Sequence, residues 1–111
     1  MRLKKNWQFR KVYDEGANIV CDCAVIFYCI NPEFEEGPCF GVVASKRVGN
    51  AVKRNRAKRL LRETARRLSG KLNHRDIWVV LVARSNIINR SSDDVQNDVE
   101  RALEEARLIT R

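Results

Sequence analysis

Hydrophobic and polar positions along this chain change their period repeatedly, and each change marks an element. In NWQFRKVYDEG, Phe9, Val12 and Tyr13 fall at i, i+3 and i+4, which predicts a short amphipathic helix with Asn6 as N-cap and Gly16 as stop. From Asn18 to Asn31 β-branched, aromatic and cysteine side chains dominate, so one long strand, or two joined at Asp22, is expected. Alternation sets Val25 and Phe27 on one face of that strand and Ile26 and Tyr28 on the other. NPEFEEGP, with Pro32, Gly37 and Pro38, reads as a turn, and CFGVVAS as the returning strand. The period then lengthens to that of a helix. Behind Asn50 as cap, Ala57, Leu60, Leu61, Thr64, Ala65 and Leu68 form one unbroken apolar face, which Gly70 closes. DIWVVLVAR, residues 76–84, is a continuous apolar run of strand length. In SSDDVQNDVERALEEARLI, Ser91 or Ser92 caps a last helix, with Asp93 and Asp94 in its first turn and Val95, Val99, Ala102, Leu103 and Ala106 as its buried stripe.

The order is therefore α-β-β-β-α-β-α, an α+β fold with helices packed on a mostly antiparallel sheet. The strand, helix and strand around residues 50–70 make a βαβ crossover, right-handed by the general rule. The 111 residues show no repeat and no linker, so 1–111 is read as a single domain, and 44% apolar content is globular rather than disordered. No apolar run reaches membrane-spanning length, and MRLKKNWQF lacks the apolar region of a secretory signal. The expectation is a soluble, cytoplasmic protein with no membrane partner.

Charge changes the picture. Residues 46–67 hold ten basic side chains against one acid, Glu63, a net +9, whereas the whole chain is +8 and everything outside that stretch sums to −1. This is a near-neutral protein with one cationic element, and such a field draws in polyanions. A solvated outer face would ordinarily explain a charged helix, but acids at i, i+4 that would offset self-repulsion are nearly absent. Arginine also outnumbers lysine, and its planar fork suits phosphate and base edges. On an ideal wheel Asn55, Arg59, Arg62 and Arg66 share the face opposite the apolar one. Nucleic-acid binding is the reading that follows.

Aromatic positions bear on what kind of nucleic acid. Phe9, Tyr13 and Phe27 are core candidates, yet rings beside a cationic wall also make a stacking platform for single-stranded nucleotides. Trp7 and Trp78 are taken as packing residues. Cys21, Cys23, Cys29 and Cys39 lie in strand-like segments, with spacing that matches no standard zinc pattern, so buried reduced thiols are expected. The single histidine, His74, has no identifiable nucleophile as partner. Glu35-Glu36 falls in a turn and Asp93-Asp94 in a cap, and nothing makes the carboxylates converge as metal-assisted cleavage needs. No self-contained catalytic site is expected.

KRVGNAVKRNRAKRLLRE, with Arg54, Asn55 and Arg56 at its core, resembles the signature of the protein subunit of bacterial ribonuclease P, the ribonucleoprotein that trims the 5′ leader from precursor tRNA. RLKKNWQFRKVYDEG resembles that family's opening helix and DIWVVLVAR its last strand. The resemblance implies a ribosomal-protein-like sandwich whose βαβ crossover is left-handed, against the general rule. It implies an endoribonuclease holoenzyme whose catalytic centre, with its Mg²⁺, belongs to the RNA. The protein then lacks an active site of its own, so no catalytic residue is expected in it, and no residue of the chain is assigned as a metal ligand. Implied partners are the catalytic RNA, at one protein per RNA, and precursor tRNA. Implied RNA-binding residues are Lys46, Arg47, Lys53, Arg54, Asn55, Arg56, Lys58, Arg59 and Arg62, with Arg54, Asn55, Arg56 and Arg59 foremost. Phe9, Tyr13 and Phe27 line the implied leader-binding cleft, where the family usually has phenylalanine at the Tyr13 position and also uses tyrosine at that of Phe27. The competing readings are a ribosomal or ribosome-assembly protein, and a DNA-binding helix module. The latter lacks a helix-turn-helix partner or dimerising heptads.

Overall fold

The computed structural model describes residues 2–30 and 37–109. Helix α1 spans Asn6–Glu15, β1 Ala17–Val20, β2 Ala24–Ile30, β3 Cys39–Val43, α2 Ala51–Leu68, β4 Ile77–Ala83 and α3 Ser92–Glu105. This is the expected order, with short 3-10 turns added at Ser69–Lys71 and Ser85–Asn89. Most of the predicted NPEFEEGP turn, residues 31–36, lies outside the described residues.

Of the two expectations for residues 18–31, the pair of strands is correct, and the turn around Asp22 is held from a distance. The Asp98 carboxylate in α3 accepts the backbone N–H of Asp22 at 3.2 Å and that of Cys23 at 2.8 Å. Burial works against that carboxylate, but hydrogen bonds from Cys23 and Asp22 outweigh it and hold the group below the ordinary carboxylate range. Asp98 therefore stays charged near neutrality and fastens the hairpin onto the last helix.

The sheet order is β1-β2-β4-β3, with β2 antiparallel to both neighbours and β3 parallel to β4. Helix α2 makes the crossover between those parallel strands. Because side chains alternate along β4, the strand feeds two cores. Ile77, Val79, Leu81 and Ala83 pack with Leu60, Leu61, Leu68, Val99 and Leu103 under α2 and α3. Trp78 and Val80 pack with Leu3 and Val12 under α1 and the N-terminal segment. Helices thus cover both sheet faces, which is why β4 reads as uninterrupted apolar sequence. Truncating a fully buried residue such as Leu61 or Leu81 to alanine costs about 2–5 kcal/mol.

The caps decide where the helices sit. Asn50 Oδ1 accepts from the Lys53 N–H at 3.0 Å, and Ser91, rather than Ser92, caps α3 by accepting from Asp94 N–H at 3.1 Å. Asn6 is not the cap of α1 but its first residue. Gln8, buried one turn in, reaches back to accept the N–H groups of Lys4 and Lys5 at 2.8 and 2.9 Å. The longer amide side chain does the work expected of Asn6. Gly16 closes α1 by donating to the Val12 carbonyl, whereas Gly70 sits inside a 3-10 turn after α2 has ended. Among the described residues, no helix is long and apolar enough to cross a membrane.

Candidate RNA interface

The cationic element begins in the turn before α2. Val48 N–H bonds the Ser45 carbonyl at 3.0 Å and Gly49 N–H the Lys46 carbonyl at 3.1 Å, which closes the turn. Val48, 1% exposed, anchors it in the core, so Lys46 and Arg47 point into solvent. Gly49 has φ +140°, where a side chain is strained, and a Cβ there would meet Lys53 at 2.7 Å. The first turn of α2 carries no acid, leaving the positive end of its dipole open to anions.

Along α2, all six residues of the predicted apolar face are buried. Asn55, Arg59, Arg62 and Arg66 are exposed, as the helical wheel requires, and Lys53 is exposed in the first turn of the helix. Among the described residues, the one ion pair made by the basic side chains of α2 is Arg67 to Glu63 at 3.4 Å, and Arg67 also reaches Gln96 of α3 at 2.8 Å. The foremost four expected RNA contacts do not behave alike. Asn55 and Arg59 project freely, and half-buried Arg54 lies 3.5 Å from the Gly49 carbonyl. Arg56 is turned into the protein, where its guanidinium donates to the carbonyls of Ile88 and Arg90, both at 2.9 Å. Its position on the wheel did not reveal that clamp, because the acceptors belong to a segment more than thirty residues away.

On the other sheet face, Tyr13 of α1 meets Phe27 of β2 edge to face, ring centroids 4.9 Å apart and planes at 81°. Tyr13 remains 40% exposed, and burial raises its phenol, so the hydroxyl is neutral and able to donate. Phe9 lies one helical turn before Tyr13, against the backbone of β3. A Cβ on Gly41 would sit 2.5 Å from the Phe9 ring, so that glycine is what lets the ring settle on the sheet. Phe9 also lines a cavity of about 560 Å³ whose walls include Leu3, Phe40, Arg62 and Arg66. An aromatic of α1 and two arginines of α2 thus share one opening. Gly41 and the N-terminal residues Arg2 and Lys4, which also line it, were not among the predicted site residues. Trp78 is buried, as expected of a packing residue, and Trp7 lies against it with ring centroids 5.8 Å apart while remaining 44% exposed.

Comparisons with known proteins bear on the family and the fold. The family model described as Ribonuclease P matches residues 1–107. The ribonuclease P protein component of Shouchella clausii is 33% identical over 108 residues, 97% of this chain and 87% of the relative. That of Staphylococcus aureus strain Mu3 is 30% identical over 110 residues, 99% of this chain and 93% of the relative. A solved structure of the Staphylococcus aureus RNase P protein superposes with a TM-score of 0.84 at 28% identity, covering 98% of this chain and 97% of that one. The RNase P protein from Thermotoga maritima, at 22% identity and a TM-score of 0.80, shares the fold over 95% of this chain and 96% of its own. With nearly the whole chain matched and the basic helix, its capped turn and the ring-lined sheet face all in place, this protein belongs to the ribonuclease P protein family.

Proposed function

We propose that this chain is the RNA-binding subunit of a cytoplasmic ribonuclease P holoenzyme and assists a catalytic RNA in removing the 5′ leader from precursor tRNA. The observation that carries this reading is the shared opening lined by Phe9, Arg62 and Arg66, next to the exposed basic face of α2. Lys46, Arg47, Lys53, Asn55, Arg59 and Arg62 neutralise phosphates and release counterions, so that two polyanions approach each other. Phe9, Tyr13 and Phe27 stack leader nucleotides, at about 1–3 kcal/mol per base, and fix their distance from the scissile phosphate. Bond cleavage, with its Mg²⁺, belongs to the RNA. The protein supplies position and charge.

Binding of precursor and mature tRNA to the reconstituted holoenzyme tests the cleft. One stacked base lost in Phe9→Ala weakens precursor binding about 5- to 150-fold and leaves mature tRNA unchanged. Equal losses for the two RNAs would remove Phe9 from the leader path and favour a protein that binds structured RNA alone.

A further inference from the structure

Cys21 and Cys23 flank the β1–β2 turn, and Asp98 reaches them from α3, more than seventy residues away in the chain. Among the described residues, this is the one group of three potential metal-ligating side chains whose donor atoms all lie within 4.8 Å of one another. Cys23 and Asp98 are buried and Cys21 is half-buried at the surface. Two thiols and a carboxylate thus converge with one side open to solvent.

We propose that Cys21, Cys23 and Asp98 form a zinc-binding site that clips the β1–β2 turn to α3, with water as the fourth ligand. Tetrahedral zinc, at about 2.3 Å from sulfur and 2.0–2.2 Å from oxygen, holds its ligand atoms about 3.4–3.8 Å apart. Pairs already within 4.8 Å need to close by at most about 1.4 Å, within reach of side-chain rotation. The carboxylate is suited to the role. Its Oδ1 accepts from Asp22 N–H and from Arg101, both at 3.2 Å, and Oδ2 accepts from Cys23 N–H at 2.8 Å. The Cys23 and Cys21 thiols also hydrogen-bond the carboxylate, so that an ion takes the place of the thiol protons already directed at it. The backbone bonds orient the carboxylate as outer-shell partners orient a metal ligand. On binding, two Zn–S bonds and one Zn–O bond form and both thiol protons leave to solvent. The two thiolates and the carboxylate leave a net charge of −1 around Zn²⁺, which Arg101 faces directly and Arg84, bonded to the Cys21 carbonyl at 2.9 Å, helps to offset. Sulfur donors favour zinc over magnesium or calcium at such a site.

Spacing rules miss this arrangement, because they look for paired cysteines in two turns and here the third ligand is a distant helix residue.

The test titrates the full-length, reduced protein with zinc against a chromophoric chelator, and with cobalt(II) as a spectroscopic probe. The expected result is one ion per chain, two protons released, and a thiolate-to-cobalt charge-transfer band. The unfolding midpoint rises by about 10 °C at free zinc a hundredfold above Kd. Cys21→Ser, at a half-exposed position, abolishes the band and weakens zinc binding at least tenfold. Cys29→Ala, on the opposite sheet face beside Trp78, leaves both unchanged. Absence of saturable one-to-one binding in the parent protein overturns the proposal whatever the variants do. So does binding that survives Cys21→Ser intact.

Discussion

Replacing Arg56 with alanine removes the two 2.9 Å hydrogen bonds that tie α2 to the carbonyls of Ile88 and Arg90, on the segment leading into α3. Hydrogen bonds from a charged donor contribute about 1.5–3 kcal/mol each. Both acceptor residues are only half-buried, so water recovers part of the loss, and a net cost of about 2–3 kcal/mol follows. In a domain of this size that lowers the unfolding midpoint by about 10 °C or somewhat more. Arg56→Lys keeps the charge but not the planar fork, and an ammonium serves one carbonyl well, so roughly half the loss remains. The assay is urea unfolding of the RNA-free protein, followed by circular dichroism. An Arg56→Ala chain within about 0.5 kcal/mol of the parent, yet strongly impaired in RNA binding, would falsify the clamp and return this guanidinium to the RNA surface.

Arg62, exposed on the cavity wall, behaves oppositely: Arg62→Ala changes stability by no more than about 0.5 kcal/mol but lowers the slope of log affinity against log salt by about 0.7–0.9. Filter binding over a salt series measures this, and an unchanged slope removes Arg62 from the phosphate contacts. Gly41→Ala drives a methyl group to 2.5 Å from the Phe9 ring, so it costs about 1–3 kcal/mol and erodes leader preference as Phe9→Ala does. Adding Phe9→Leu to Gly41→Ala relieves the crowding and recovers stability without recovering leader preference. Unaltered leader preference in Gly41→Ala contradicts the close packing as the determinant of ring position.

Most roles that depend on a residue's own element were legible in the chain, the start of α1 excepted. The burial of Ala57, Leu60, Leu61, Thr64, Ala65 and Leu68 follows from a period of 3.6, and the exposure of Asn55, Arg59, Arg62 and Arg66 follows from the same wheel. Asn50 and Ser91 cap their helices because a short oxygen-bearing side chain precedes an apolar-periodic run. Beyond the start of α1, what escaped was contact between distant segments. Arg56 looks like any other basic residue of α2 until the chain returns at Ile88 and Arg90 with free carbonyls. Asp98 looks like a solvated helix acid, yet it is buried and holds the Asp22 turn 76 residues away. Gly41 reads as a weak strand residue until the Phe9 ring lies on it. Gln8 displaced Asn6 as the group that organises the start of α1, because its longer side chain reaches backward to two N–H groups at once.

The central claim is that this protein acts through RNA, by placing a leader-bearing substrate beside a catalytic RNA. Cleavage of precursor tRNA at low magnesium, with a bacterial ribonuclease P RNA and with or without this protein, tests it most directly. Cleavage at the mature 5′ end that requires both components is the predicted result. Cleavage by the protein alone, or tight RNA binding that restores no cleavage with two different types of catalytic RNA, contradicts it.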